Sequence, residues 1–161
     1  MKKILAGLVV LSGAVYAQQK FACVDANRIL QESKTVKQAE QELRAKVQDY
    51  QRQLDEIEKK LEELKKQIES RAISQQAREQ KIKEYQQTQA KGIEIQQKAQ
   101  KEITELKEKL EGDILSKVRL IAEDMAKKNG YAGVFDCGAF VYRSPDMDVT
   151  EEVIRKLDVG K

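Results

Sequence analysis

Between residues 36 and 125 the apolar side chains return every three or four positions, in two series that mirror one another. The first is Val36, Ala39, Leu43, Val47, Tyr50, Leu54, Ile57, Leu61, Leu64 and Ile68. The second is Ile82, Tyr85, Gln89, Gly92, Gln96, Ala99, Ile103, Leu106 and Leu110, continued through Ile114, Val118, Ile121 and Met125. Such spacing lays one narrow apolar stripe along an α-helix, the pattern of a coiled-coil seam. A 4-4 step at Ala39, Leu43 and Val47, and another through Ile114 and Val118, are stutters that locally unwind a supercoil. Antiparallel helices of equal rise keep a constant sum of facing residue numbers. Leu64 with Ile82, Leu61 with Tyr85, Ile57 with Gln89, Leu54 with Gly92, Tyr50 with Gln96, Val47 with Ala99, Leu43 with Ile103 and Val36 with Leu110 all satisfy that rule. The spacing predicts an antiparallel hairpin over residues 33–128 that folds near residue 73. Its tip lies near 70–76, where Ser74 can cap the returning helix. One continuous rod is the other arrangement the same periodicity allows. Each arm of a hairpin would run about 40 to 45 residues, or about 60 to 65 Å.

Composition agrees with an elongated, mostly helical chain. Of 161 residues, 35% are charged and 5% aromatic, with neither Trp nor His, so little core can be buried per residue and a compact enzyme is disfavoured. Without histidine there is no Ser-His-Asp triad, no His-based zinc site and no haem ligation by His.

The chain begins as an export signal. Lys2 and Lys3 precede the apolar stretch Ile4 to Val15, and Val15-Tyr16-Ala17 offers small residues at a cleavage site, so residues 1–17 read as a signal peptide cut after Ala17. The stretch is short for a membrane span of about 20 residues and has no successor, so the expected mature chain is exported and soluble. A lipid anchor would need Cys at the cleavage point, and the first Cys is Cys23. Removing residues 1–17 takes away Lys2 and Lys3 and no acid, so the balance of 30 bases to 27 acids becomes 28 to 27. A globally basic footprint for nucleic acid is absent.

Aromatic residues mark a head built from the two ends of the chain. Phe21, Tyr131, Phe135, Phe140 and Tyr142 fall in residues 18–32 and 129–161, leaving only Tyr50 and Tyr85 between. Strands are expected at Phe21 to Asp25, Tyr131 to Phe135 and Ala139 to Tyr142, with a tight turn at Cys137-Gly138. Asp25 or Asn27 can cap a first helix, Asn129-Gly130 stops the long one, and Thr150 caps a last helix over Glu151 to Leu157. A head this small sits near the size at which one core stops being self-sufficient, and three strands leave two open edges. Assembly with other copies through the head is the natural consequence. The fold class is therefore α+β and mostly α: a small β head that oligomerises, with a long antiparallel helical hairpin projecting from it.

Specific motifs stand at both ends. The run Phe21-Ala22-Cys23-Val24-Asp25-Ala26-Asn27-Arg28-Ile29-Leu30-Gln31-Glu32-Ser33 leads into the hairpin. Gly130-Tyr131-Ala132-Gly133-Val134-Phe135-Asp136, Val141-Tyr142 and Asp148-Val149-Thr150-Glu151-Glu152-Val153-Ile154-Arg155-Lys156-Leu157 follow it. Together they resemble the Skp (OmpH-like) periplasmic chaperones over the whole mature chain. The resemblance implies a homotrimer with a β-barrel-like body and three helical tentacles around a cavity. Unfolded outer-membrane proteins would be held there after export, with no ATP and no cofactor. Cys23 and Cys137 are not part of the family pattern.

Candidate contacts lie along the arm. Residues 65–83 carry Lys65, Lys66, Arg71, Arg78, Lys81 and Lys83 against Glu69 and Glu79, a basic tip suited to acidic clients or an anionic lipid surface. An ordinary solvated turn is the plainer reading of the same charges. Gln89, Gly92 and Gln96 weaken the returning seam and mark a possible hinge, where glycine costs about 1 kcal/mol against alanine. Ile93 and Ile95 lie about 200° apart on a helix, so one of them, with Ile73 at the tip, is free for a client. Cys23 and Cys137 either form a disulfide, which the export compartment permits, or remain two buried thiols. With neither CxxC nor His, a catalytic thiol is disfavoured.

Asp146-x-Asp148-x-Thr150 opens like a calcium loop but has Glu151 where glycine is required and Leu157 where a bidentate glutamate is required. Gly130, Gly133 and Gly138 do not follow a nucleotide-binding strand-to-helix pattern. The function expected is a holdase that binds unfolded chains by mass action, and the alternative is a structural coiled-coil spacer or adaptor of the envelope. A nucleophile, base and orienter cannot be assembled from these residues, so no enzyme is expected.

Overall fold

A computed structural model describes residues 19–160. The expected signal peptide at residues 1–17 lies outside the described residues. The chain enters through strand β1 (Lys20–Val24), a short helix α1 (Ala26–Glu32) and the outgoing arm helix α2 (Lys34–Glu69). It returns through α3 (Gln75–Asn129), strand β2 (Tyr131–Asp136), two 3₁₀ turns and α4 (Thr150–Val159).

Local chemistry sets most of these boundaries. Asp25 accepts the Arg28 N–H as N-cap of α1, and Ser33 accepts the Val36 N–H as N-cap of α2. Ser74 accepts the Ala77 N–H as N-cap of α3, and Gly130 closes that helix in the left-handed region at φ 71°. The arm is the antiparallel pair α2 and α3. At 36 and 55 residues, these helices are about 54 and 82 Å long. The excess of α3 runs unbroken into the head, where Met125 is 1% exposed among Val24, Ile29, Val36, Val153, Ile154 and Leu157.

β1 and β2 run parallel, with Phe21 beside Gly133, Cys23 beside Phe135 and Val24 beside Asp136. Successive side chains of a strand point to opposite faces. Ala22, Val24 and Val134 therefore form the inner face on the core, and Phe21, Cys23, Gly133 and Phe135 form the outer face. Along the other edge of β1, the Val149 N–H donates to the Cys23 carbonyl at 3.0 Å, and Cys23 bridges Asp148.

Three expectations are corrected. The third strand at Ala139 to Tyr142 does not form: Cys137–Ala139 is a 3₁₀ turn, and Val141 and Tyr142 lie exposed with no strand to pair with. Thr150 is the first residue of α4 and not its cap. Its N–H donates to Asp148 Oδ1, while its hydroxyl accepts the Asp25 N–H at 2.9 Å and so joins α4 to the start of α1. In the returning seam, Gln89 and Gln96 are exposed, and Thr88 and Ile95 take the inward positions between Tyr85 and Ala99. That phase seats the threonine methyl and the isoleucine against α2 and leaves both amides in water, so burial of apolar area selects it.

A residue not anticipated clamps the arm to the head. The Asp158 carboxylate accepts from Ser33 Oγ at 2.7 Å and from the Lys34 and Thr35 N–H groups at 3.0 Å each, satisfying orphan donors at the start of α2. Burial raises the pKa of this carboxyl, but the bonds from Lys34, Thr35 and Ser33 outweigh it and hold the group below the usual carboxylate range.

Two predictions follow from this packing. A depressed carboxylate pKa contributes stability that is whole above the unfolded value of about 4 and is lost as pH falls through the lower folded value. Thermal unfolding of Asp158→Asn should therefore show a shallower fall in stability between about pH 4 and pH 2 than the parent chain. In the arm, Leu64 is 3% exposed and lies outside the core cluster of the head. Leu64→Ala should cost about 2 to 3 kcal/mol locally. Amide hydrogen exchange should then speed up across residues 57–86 and stay unchanged in β1, β2 and α4.

Candidate functional site

The tip holds the densest group of cations, and the structure divides them by task. Arg78 donates to the Ile68 carbonyl at 2.7 Å and to the Ser70 carbonyl at 3.1 Å, closing the open end of α2. Lys66 pairs with Glu62 at 2.8 Å and Lys81 with Glu84 at 3.1 Å. Lys65, Arg71 and Lys83 have no carboxylate within ion-pair distance among the described residues, and Lys65, Arg71 and Lys83 are exposed. Ile73 is half-buried in the turn. The free positive charge of the tip therefore rests on three side chains, and Arg78 is a structural cap.

Further down the arm, Ile93 is 53% exposed, while Ile95 is turned into the seam. Gly92 faces α2 at a close approach: a Cβ there would stand 3.0 Å from Ile57 Cγ2. Ile57 meets Gly92, where the sequence had paired Gly92 with Leu54, and the missing side chain admits the isoleucine to the seam. Tyr50 is buried, and its hydroxyl donates to Glu102 Oε2 at 2.6 Å; Lys46 Nζ reaches the same oxygen at 2.6 Å and lies 5.3 Å from the Tyr50 ring centroid. Bonds from Lys46 and then Tyr50 hold the Glu102 carboxyl below its usual range, and the same bonds push the Lys46 and Tyr50 pKa values up. This polar clamp fixes the register of the two helices, because a shift of one turn would leave Tyr50 and Glu102 without each other.

At the root of the arm an apolar groove of about 390 Å³ opens between α1 and α3, lined by Ala26, Ile29, Leu30, Ile114, Leu115 and Val118. Leu30 and Leu115 are 53% and 62% exposed. Sequence reasoning missed this groove, although Leu115 was visible as an apolar residue beside the seam position Ile114 and out of phase with it.

The head's outer face is the largest aromatic surface. The Phe21 and Phe135 rings lie 5.8 Å apart, and Phe140 meets Phe135 edge-on at 5.8 Å. Gly133 makes room for this layer, since a Cβ there would stand 2.9 Å from the Phe135 ring. Cys23 and Cys137 are joined by a disulfide with their Cα atoms 4.9 Å apart, and it sits on this face. Phe21 and Phe135 remain 39% and 47% exposed, and Val141 and Tyr142 continue the surface into solvent. Among the described residues no cluster of His, Cys, Asp or Glu is placed to hold a metal ion, and no helix is long and apolar enough to cross a membrane.

Comparison with known proteins agrees with the architecture. Residues 20–157 match the family model described as outer membrane protein (OmpH-like). An uncharacterized protein of Aquifex aeolicus (strain VF5) is 39% identical over 158 residues, covering 98% of this chain and 97% of that protein. The crystal structure of an OmpH-like protein from Caulobacter crescentus CB15 superposes with a TM-score of 0.77 at 20% identity, over 90% of this chain and 87% of that one. With a small strand head, a long helical hairpin and a family match spanning nearly all the described residues, this chain belongs to the outer membrane protein (OmpH-like) family.

Proposed function

We propose that the mature chain is an ATP-independent holdase of the periplasm that binds unfolded outer-membrane proteins and keeps them from aggregating. The Caulobacter protein of the same fold is described as a candidate outer membrane chaperone, which supports the chaperone part of the reading. The observation that carries it is the shape of the exposed apolar surface. A two-stranded head leaves Phe21, Phe135, Val141 and Tyr142 uncovered, and a long arm with Leu115 and Ile93 exposed rises from it, with Leu30 of α1 exposed at its root. Monomeric soluble proteins keep large apolar patches for partners. The head face is assigned to copies of the same chain in a homotrimer, and the arms to clients. Binding the unfolded state prevents aggregation by mass action and needs no chemistry.

One observation favours a structural spacer instead. With Thr88 and Ile95 in the seam, α3 runs as one unbroken helix from tip to head, stiffer than the run through Gln89, Gly92 and Gln96 implied. Promiscuity separates the two readings. A holdase should suppress light scattering of several unrelated urea-diluted β-barrel proteins at near-stoichiometric ratio, and a spacer should suppress none.

The three unpaired tip cations give a second test. Replacing Lys65, Arg71 and Lys83 together by Glu should leave thermal stability within about 0.5 kcal/mol, since surface changes away from special contacts cost little. It should abolish co-sedimentation with vesicles rich in anionic lipid at low salt. Unchanged binding would remove the tip from the list of contacts.

A further inference from the structure

We propose that the Cys23–Cys137 disulfide is an assembly lock: it builds the outer face of the head, so that copies join only after the pair has been oxidised. The inference rests on the homotrimer reading above.

The bond lies at the junction of every segment of that face. Cys23 is the fourth of the five residues of β1, with its side chain on the outer side, beside Phe135 in register. Cys137 opens the 3₁₀ turn that carries Phe140 back onto Phe135. Apart from the disulfide, residues 137–142 are held by weak or local ties. The Gly138 N–H donates to Asp136, the Phe140 N–H to the Cys137 carbonyl, and one ring edge touches another. Val141 and Tyr142 add nothing, being exposed. The ion pair of Arg143 with Asp148 anchors only the far end of the segment. The core behind β1 and β2 holds the inner face of the sheet, so the bond acts on the outer face alone. Reduction therefore frees the turn and withdraws Phe140 from Phe135, leaving the aromatic layer incomplete.

Formation of the bond is an ordinary exchange. Two thiols give up two protons and two electrons to a disulfide donor of the oxidising compartment, protein or small molecule, which is reduced to two thiols. Once formed, the sulfurs are shut away, with Cys23 fully buried and Cys137 6% exposed, so an attacking thiolate has no approach. The device is a lock closed once and not a reversible sensor. A chain held reduced before export keeps its association face unbuilt there.

Sedimentation equilibrium tests this on the mature chain, residues 18–161. The oxidised protein should form one oligomer. Cys23→Ala/Cys137→Ala and wild type refolded in dithiothreitol should associate roughly tenfold or more weakly, because the freed turn must be ordered as the copies join, a cost that the oxidised head has already met. Far-ultraviolet circular dichroism should stay helical, since the arm does not use the bond. A variant that assembles as tightly as the oxidised protein overturns the lock and leaves the homotrimer standing. An oxidised protein that is monomeric overturns both. Should the double variant lose its helices, wild type refolded reduced and then reoxidised with oxidised glutathione decides the matter. Assembly must rise in step with the loss of free thiols, and assembly that precedes it overturns the proposal.

Discussion

Everything else in the molecule depends on the parallel pairing of β1 with β2. Parallel neighbours cannot be joined by a tight turn and need a crossover that leaves the sheet and comes back. Here the crossover is α1, α2 and α3, so the whole arm is the connection between two adjacent strands. A sheet of two strands has too little face to make a core alone. The inner face of Ala22, Val24 and Val134 is therefore completed by the root of α3 at Met125 and by α4 at Val153 and Leu157. Because α3 must reach that core without a break, the direction of the arm is fixed by the packing of the head. Asp158 fixes the other helix at the same level by binding the first turn of α2.

Head and arm are stabilised in different ways. In the head, long-range links close the structure: the disulfide, the Asp158 clamp, and Thr150 receiving the Asp25 N–H. A bond that closes so long a loop is worth up to about 4 to 5 kcal/mol in the chain-entropy account. In the arm each turn meets only the turn opposite. Its ion pairs are largely exposed, and such pairs are each worth about 0 to 1 kcal/mol. The arm therefore loosens turn by turn from the tip, where contacts end, while the head opens as a unit or not at all. On the holdase reading proposed above, adaptation to clients of different size would follow from that gradient without a hinge at Gly92, which admits Ile57 to the seam.

Features governed by neighbours in sequence were legible, and features governed by distant partners were not. The hairpin, the Ser74 and Asp25 caps and the stop at Gly130 rest on spacing and local hydrogen bonding, which one sequence carries. Phe140-Val141-Tyr142 has strand propensity but, among the described residues, no strand beside it, since Cys137 is drawn to Cys23 and turns the backbone away from the edge of β2. Propensity without a pairing partner does not make a strand. Thr88 and Ile95 stand one residue before the seam positions that the spacing indicates, because threonine reads as polar although its methyl packs like a small hydrophobe. Asp158 left a faint signal. An acid in the last turn of a helix opposes the helix dipole, and such a residue is retained where a partner outside the helix compensates it. The charge of the tip was legible, but which of its cations are free depended on Glu62, Glu84 and the open carbonyls of α2.

The edges of the small sheet decide how labour divides over the molecule. One edge of β1 is taken by β2, and on the other Cys23 is bonded to the segment at Asp148 and Val149. Among the described residues β2 has β1 as its only strand neighbour, and its free edge adjoins the aromatic face of Phe21, Phe135 and Phe140. A second copy bound there would cover both the edge and the face, the two liabilities of an uncapped sheet. On the reading proposed above, the head is then closed to clients by assembly itself. An unfolded chain must be met by the surfaces that assembly leaves open: the groove at Leu30 and Leu115, the flank at Ile93 and the cations of the tip. These lie at successive heights along one arm, so a client held at several of them spreads weak contacts over many tens of ångströms. Holding an unfolded chain calls for such an arrangement, because each contact can be released without the others and none demands that the client take a defined shape.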